Sequence, residues 1–203
     1  MKDNIDNFAH KSKSWDMNSR RVKNAQSIAE LIVKNIILNK DMELMDFGAG
    51  TGLLSFFIAP FVKKIVAIDN SPSMLKEFEL KCKEFVCETE VIQVDISIET
   101  IDRKFDGIIS SMTIHHLKDT LELFYKFYNM LDSGGFIAIA DLDSEDGSFH
   151  NDPRGVFHSG FDRETLEAIA QKVGFSNIMF ETAGIIKKAE ANFSVFLMTA
   201  RKV

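Results

Sequence analysis

The sequence has few cysteines and a deficit of positive charge, and each shortage disfavours a class of protein. Its two cysteines, Cys82 and Cys87, lie in one charged stretch, so we expect neither a disulfide framework nor a cysteine-based metal site. The formal net charge of −6 disfavours tight binding to nucleic acid or to an anionic membrane, because both need a basic surface. No nucleic-acid partner is therefore expected.

Long apolar segments are missing as well. The N-terminal sequence MKDNIDNF lacks the apolar core of a signal peptide, and no run approaches the length of a transmembrane helix. We therefore expect no membrane association and a cytoplasmic location. The sequence has no internal repeats, and its 203 residues suit one domain. We expect a helical arm or cap in residues 1–40 and a core in residues 41–203.

What the sequence does have is an alternation of short apolar runs and amphipathic segments. Such alternation predicts an α/β fold around a mainly parallel sheet, in which ligands bind beyond the carboxyl ends of the strands. The predicted strands are 44–47, 65–68, 91–94, 105–110, 136–140, 178–181 and 193–200. The predicted helices are 21–38, 53–61, 72–85, 119–130 and a last one between Asp162 and Gly174.

Three glycines at alternate positions follow the first apolar run, in the stretch ELMDFGAGTGLL. A phosphate-binding loop is excluded, because Gly52 is followed by two leucines instead of lysine and serine or threonine. The dinucleotide fingerprint would need a further glycine where Leu53 stands, which weakens the nicotinamide and flavin interpretations. Glycines without a Cβ allow a ligand to lie directly against this turn.

Carboxylates stand at the ends of the first three predicted strands. Asp46 precedes the glycines and suits a ligand with a cationic end. Asp69 ends the second strand, where an acidic residue typically binds both hydroxyls of a ribose. Asp95 follows the third strand and can accept a hydrogen bond from an exocyclic amine. In this order the residues predict an adenosine ligand without a required phosphate chain.

An ordered set of motifs extends this pattern along the chain. It consists of LMDFGAGTG at 44–52, VAIDNS at 66–71, VDI at 94–96, FDGIISSMTIHHL at 105–117 and LDSGGFI at 131–137. With these motifs the chain resembles the class I S-adenosylmethionine-dependent methyltransferases, most closely the small-molecule (UbiE-like) branch, over roughly residues 20–200. The resemblance implies a Rossmann-like three-layer α/β/α sandwich. Its seven-stranded, mostly parallel sheet would have the order 3-2-1-4-5-7-6 and an antiparallel last strand.

The resemblance also implies roles for individual residues toward S-adenosylmethionine, which leaves as S-adenosylhomocysteine. Asp46, Gly48 and Gly50 would line the methionine part of the cofactor. Asp69 would hold the ribose, with Asn70 beside it. The remaining contacts implied are Met74 near the adenine, Asp95 at its amino group, Ile96 on its ring and Ser111 after the fourth strand.

Histidines supply the candidates for catalysis of methyl transfer, an in-line displacement in which the protein aligns the acceptor and excludes water. His115 and His116 follow the fourth strand, and His158 lies farther on. Each is a candidate general base near neutral pH; the alternative, that they support the pocket without catalysing, stays open. Because adjacent side chains tend to diverge, at most one of His115 and His116 is expected in the site.

The polar segment 141–161 is the candidate substrate-binding region, because long polar connections at this edge are usually functional or mobile. No metal is expected, because the spacings match no ligand signature. The metal-dependent catechol-type methyltransferases also place carboxylate and amide ligands where this chain has Ser110 and Ser111. The alternative is a metal held by His150 and His158 with one of the carboxylates of Asp141, Asp143 or Asp152.

The N-terminal residues 1–20 are a second candidate for specificity. Trp15, the only tryptophan, could fold over the cofactor with Arg20 and Arg21 or bind an anionic substrate. The alternative is a helix start with solvated arginines.

Other functions stay open beside a small-molecule methyltransferase. A protein or RNA methyltransferase is disfavoured by the acidic charge and by SSMT, instead of an Asn-Pro-Pro-Tyr type of motif, after the fourth strand. A non-catalytic regulator that binds S-adenosylmethionine would keep the same glycine turn. A nicotinamide oxidoreductase is disfavoured by Leu53.

Overall fold

A seven-stranded sheet forms the centre of the computed structural model, which describes residue 6, residues 8–189 and residues 191–203. Most of the MKDNIDNF stretch lies outside these described residues. The strands are β1 (Glu43–Phe47), β2 (Lys64–Asp69), β3 (Glu88–Gln93), β4 (Phe105–Ser111), β5 (Leu131–Leu142), β6 (Phe175–Lys187) and β7 (Asn192–Lys202).

The strand order is β3-β2-β1-β4-β5-β7-β6, which confirms the predicted order. The first five strands pair in parallel, whereas β7 runs antiparallel to both β5 and β6. The mostly parallel sheet with an antiparallel last strand is therefore confirmed. Its parallel strands end at one edge, so the residues that follow β1, β2 and β4 meet there.

Helices cover both faces of the sheet and complete the predicted three-layer sandwich. The helices α1, α2 and α3 pack with one buried cluster, and α4 and α5 pack with the other. Short 3₁₀ turns at 12–17, 59–61, 82–84 and 114–116 accompany them. The helix bounds are α1 (Ser19–Asn35), α2 (Leu53–Ile58), α3 (Pro72–Lys81), α4 (Thr120–Met130) and α5 (Arg163–Val173).

Side-chain caps fix where several helices begin. Ser71 accepts a hydrogen bond from the backbone N–H of Met74 ahead of Pro72, and Asp162 accepts one from Thr165 N–H. Both are the predicted start signals, since each satisfies an amide that the helix leaves unpaired. Gly174 ends α5 with φ 113°, a left-handed conformation that favours glycine.

Some predicted bounds were wrong, for identifiable reasons. Strand β5 begins at Leu131 because that residue already pairs with Phe105. Strand β6 is much longer than predicted, since this edge strand alternates between half-buried and exposed residues and so has no apolar run. The predicted helix 53–61 ends at Ile58, and its last three residues form a 3₁₀ turn.

Among the described residues, no helix is both long enough and apolar enough to cross a lipid bilayer.

Gly52 precedes α2 and supports a testable prediction about the fold. Its φ is 82°, and a Cβ there would lie 2.6 Å from the Phe78 ring, so Gly52→Ala adds a steric clash to backbone strain. Gly134 has a similar φ of 79° but no atom within 4 Å of an added Cβ. In urea unfolding, Gly134→Ala should cost about 1 kcal/mol and Gly52→Ala about 2–4 kcal/mol. Equal losses would contradict this packing of the turn against α3.

Candidate functional site

The glycine turn after β1 is fixed between two neighbouring elements. The N–H groups of Gly48 and Ala49 donate to the carbonyl oxygen of Ile68 over 2.8 and 3.1 Å, which ties the turn to β2. Gly48 has φ 67°, and a Cβ at this position would lie 2.1 Å from the Thr113 side chain. Only glycine therefore fits between the end of β2 and the loop after β4.

Asp69 joins the end of β2 to the same turn. Its Oδ2 accepts a hydrogen bond from Gly50 N–H over 2.8 Å, and its Oδ1 accepts one from Ser71 N–H over 2.8 Å. Burial raises the pKa of this carboxyl. A Cβ on Gly50 would meet nothing closer than 4.0 Å, so the space beside this glycine can admit a ligand. Each carboxylate oxygen keeps capacity for a further hydrogen bond.

Asp46 lies at the end of β1 and is almost completely buried, with 1% of its surface exposed. Ser55 of α2 donates its hydroxyl hydrogen to Oδ2 over 2.5 Å. Burial raises the pKa of Asp46 to about 7, and the nearby charge of Asp69 adds to this effect. A cationic group next to this carboxyl would keep it ionised.

The candidate adenine residues surround the beginning of α3 and the chain after β3. Met74 and Ile96 are buried, whereas Asn70 is exposed. Asp95 lies beyond the end of β3, and its Oδ1 accepts hydrogen bonds from the Ser97 N–H and hydroxyl over 2.9 and 2.6 Å. One oxygen of Asp95 is thus used in a local turn, which leaves its other oxygen for a ligand.

The chain after β4 has two features that the sequence analysis missed. Met112 adopts φ 56°, an uncommon conformation for a residue with a side chain, and such strain clusters at functional sites. Thr113 donates its hydroxyl hydrogen to the carbonyl oxygen of Ser111 over 3.1 Å and packs on Gly48. Sequence gives no signal for the positive φ of Met112, because methionine carries no preference for it.

Asp141, at the end of β5, holds His115 in place. The buried Asp141 Oδ1 lies 2.7 Å from His115 Nδ1, and its Oδ2 accepts the His115 backbone N–H over 3.2 Å. His116 is oriented similarly, since its Nδ1 lies 2.6 Å from the carbonyl oxygen of Gly155. With an oxygen acceptor at Nδ1, the neutral form of either ring carries its hydrogen on Nδ1 and keeps the lone pair on Nε2.

His150, from the segment after β5, completes a cluster with these two residues. The His115 ring centroid lies 4.2 Å from that of His116 and 4.8 Å from that of His150. One ligand nitrogen from each histidine lies within 4.8 Å of the others. The adjacent rings of His115 and His116 do not diverge, since their centroids lie 4.2 Å apart; that at most one of them takes part in methyl transfer stays a prediction.

The surroundings keep two of these imidazoles neutral at pH 7. Burial lowers the pKa of His150 to about 4, with the neighbouring His115 and His116 adding to the effect. Burial also lowers the pKa of His116, and His115 contributes. Neutral imidazoles have a free lone pair and can accept a proton or bind a metal ion.

The metal ligands considered from sequence are not brought together. His158 Nε2 lies 2.9 Å from the carbonyl oxygen of Leu117, and its ring packs on Phe161. Of the three carboxylates considered, Asp143 and Asp152 form ion pairs with Arg163 and Arg154, and Asp141 contacts His115. Among the described residues, the histidine cluster is the group of possible metal ligands that the fold assembles.

Residues 6 and 8–17 form an arm that reaches both the glycine turn and the histidine cluster. Asp16 accepts the Thr51 hydroxyl hydrogen over 2.5 Å and pairs with Lys81 of α3. The Phe8 ring lies 5.7 Å from the His116 ring. The arm therefore connects the glycine turn to the histidine cluster.

Trp15 stabilises the base of this arm. The Arg21 guanidinium lies 3.7 Å from the centre of its ring, a cation–π contact. Arg20 instead donates to the carbonyl oxygen of Lys187 over 2.8 Å. The two arginines that the sequence analysis grouped with Trp15 thus make different contacts.

Comparison with known proteins identifies the family. The methyltransferase domain family matches residues 18–179, and the chain belongs to this family, as its motifs predicted. It is 30% identical over 177 residues to an uncharacterized methyltransferase of Schizosaccharomyces pombe, covering 79% of this chain and 61% of that protein. It is also 30% identical over 158 residues to phosphoethanolamine N-methyltransferase 1 of Zea mays, covering 73% of this chain and 31% of that protein.

The fold has solved counterparts as well. A Haemonchus contortus phosphoethanolamine N-methyltransferase 2, solved in complex with S-adenosyl-L-methionine, aligns with TM-score 0.68 at 21% identity over 87% of this chain and 52% of that chain. The chain thus spans less than two thirds of the length of these curated relatives.

The raised pKa of Asp46 predicts how stability depends on pH. Because its pKa is 3.8 ordinarily and about 7 in the fold, the folded state binds more protons between these values, and rising pH destabilises it. Asp46→Asn keeps an acceptor for Ser55 but does not titrate. At pH 8 its free energy of unfolding should exceed that of wild type by about 1–3 kcal/mol. This difference should shrink toward pH 5.

Chemical unfolding at several pH values measures this gap. Asp41→Asn, which removes an exposed carboxylate ahead of β1, controls for the loss of one negative charge. A difference between Asp46→Asn and wild type that does not change with pH would contradict the prediction.

Proposed function

We propose that the chain binds S-adenosylmethionine at the carboxyl edge of β1 and β2 and transfers its methyl group to a small-molecule acceptor. The observation that carries the proposal is the hydrogen bond from Gly50 N–H to Asp69 Oδ2. It places the carboxylate that ends β2 directly beside an open glycine turn. A ribose bound by Asp69 would then have its 5′ substituent along that turn, where no phosphate-binding lysine follows the glycines.

The other polar groups suit the two ends of this cofactor. The cofactor's methionine part ends in an ammonium group, which matches the buried carboxyl of Asp46 beside Gly48 and Gly50. The adenosine end would extend from Asp69, with Asn70 beside the ribose, toward the candidate adenine residues Met74, Asp95 and Ile96. Ser111 would contact the cofactor from the end of β4.

Methyl transfer needs the acceptor in line with the methyl group and water excluded. The acceptor's lone pair forms the new bond to carbon while the S–CH₃ bond breaks and its electrons stay on sulfur, which leaves as a neutral thioether. The arm supports water exclusion, since Asp16 and Phe8 contact Thr51 and His116. We propose that residues up to 40 cap a core formed by residues 41–203.

Candidate groups for acceptor activation are histidines that follow β4 and β5. We keep His115, His116 and His158 as proposed catalytic residues, with His116 foremost, because its oriented Nε2 carries a lone pair. Names of relatives support a small acceptor: they include phosphoethanolamine N-methyltransferases and a malonyl-[acyl-carrier protein] O-methyltransferase of Ilyobacter polytropus. Absence of nucleic-acid partners and a cytoplasmic location stay predictions.

Loss of the Asp69 carboxylate should remove cofactor binding. Asp69→Ala removes the acceptor for the ribose hydroxyls, so its affinity for S-adenosylhomocysteine in calorimetry should fall by roughly 100-fold or more. Asp41→Ala, which removes an exposed carboxylate at the opposite edge of the sheet, should bind as wild type does. Unchanged affinity in a folded Asp69→Ala protein would refute the proposed site, as would preferential binding of NADH by wild type.

Replacing His116 should affect turnover more strongly than it affects cofactor binding. With a small-molecule extract as the source of acceptor, His116→Ala should form S-adenosylhomocysteine roughly 100-fold more slowly than wild type. Its affinity for S-adenosylhomocysteine should fall only a few-fold. Equal turnover would assign His116 to packing. Methylation of only a protein or RNA fraction by wild type would overturn the small-molecule acceptor.

A further inference from the structure

We propose that the histidine cluster of His115, His116 and His150 is a binding site for a divalent transition metal, with Zn²⁺ as the ion of choice. Three imidazoles from two separate segments, the turn after β4 and the polar segment after β5, present ligand nitrogens within 4.8 Å of one another. The sequence analysis expected no metal, and its alternative joined only His150 of these three histidines to His158 and a carboxylate. Whether the cluster binds the ion does not depend on whether the chain transfers methyl groups.

The hydrogen bonds of the cluster orient it as metal sites are oriented. Histidine ligands typically donate their other ring N–H to a carboxylate or to a backbone carbonyl, which fixes the tautomer. Here His115 Nδ1 lies 2.7 Å from Asp141 Oδ1, and His116 Nδ1 lies 2.6 Å from Gly155 O. Both contacts occupy Nδ1, so the ligand atom that we propose for each of these two rings is Nε2.

The free nitrogens lack another explanation in the structure. Within residues 6, 8–189 and 191–203, no hydrogen bond involves Nε2 of His115 or His116 or either ring nitrogen of His150. Three nitrogen ligands with an open fourth position are the set found in catalytic zinc sites.

The distances require only a modest closure. A tetrahedral zinc ion with Zn–N bonds of about 2.0–2.1 Å separates its ligands by about 3.3 Å, so the rings must approach each other by no more than about 1.5 Å. His150 lies on the segment between β5 and α5, away from regular secondary structure. His115, held by Asp141 through both its ring and its backbone, would be the fixed ligand toward which His150 moves.

Charged groups of both signs lie around the cluster. Asp141 is buried against His115, with its Oδ1 2.7 Å from the ring nitrogen. Lys188 and Lys11 are the ammonium groups that act on His150 and His116. Lys188 donates to the carbonyl oxygen of Phe149 and lies 4.1 Å from the centre of the Phe149 ring, and Lys11 lies 5.7 Å from the centre of the Phe8 ring. Both ammonium groups thus have other partners beside the cluster.

A metal here would define the acceptor class more narrowly, an extension that rests on the proposed function. An acceptor hydroxyl, thiol or carboxylate bound at the open position would be held beside the cofactor edge of the sheet. The ion would lower the pKa of a bound hydroxyl or thiol, and the released proton would pass to solvent. His116 would then act as a ligand instead of as a general base.

The test uses the full chain, stripped of metal by a chelator and titrated with Zn²⁺ or Co²⁺ alone. Calorimetry should give one ion per chain, and Co²⁺ should produce the visible absorption of a low-coordinate nitrogen site. His150→Ala should lower the affinity by roughly 100-fold or more, and Asp141→Asn by about 10–100-fold, the range for residues that orient a ligand. His10→Ala, at an exposed histidine outside the cluster, should bind as wild type does.

Two results would overturn the metal site: no stoichiometric binding of either ion by wild type, or equal affinity in folded His150→Ala. Calorimetry with S-adenosylhomocysteine on the same preparations separates this outcome from failure of the proposed function. If wild type binds S-adenosylhomocysteine but neither metal ion, only the metal site is overturned. If wild type binds a metal ion but not S-adenosylhomocysteine, only the cofactor site is overturned.

Discussion

The hydrogen bond between Gly50 N–H and Asp69 Oδ2 is the contact on which the rest of the site depends. It joins the turn after β1 to the end of β2, and the turn itself donates to the carbonyl oxygen of Ile68. Parallel pairing brings these two strand ends to one edge, and only residues without a Cβ leave room there for a ligand. The fold thus places two carboxylates beside the glycine turn by backbone geometry.

Burying acid groups at this turn lowers the free energy of unfolding when no cationic ligand pairs with them. Asp46 is buried with a pKa raised to about 7, so the fold gives up stability near neutral pH to keep a carboxyl at this position. Such a cost is typical of a functional site, where local rules of stability are broken for binding. A cationic ligand offsets it by pairing with the ionised carboxylate.

Local motifs predicted the carboxylates and glycines that meet at the ends of β1 and β2, whereas tertiary contacts decided the histidine cluster. Asp46, Asp69 and the glycines stand directly after apolar strands, so their meeting follows from strand order and parallel pairing. His150 is distant in sequence from His115, and it reaches the cluster because Phe157 and His158 donate their backbone N–H groups to the carbonyl oxygen of His115. No periodicity predicts that path. Strand β6 was underestimated because an edge strand carries a mixed pattern.

A crystal structure of the chain with S-adenosylhomocysteine would show directly which residues bind the ligand. Both ribose hydroxyls should lie within hydrogen-bonding distance of the Asp69 carboxylate, and the ligand's ammonium group should lie near Asp46. A ribose held by other residues, or a ligand away from the carboxyl edge of β1 and β2, would contradict the proposed cofactor site.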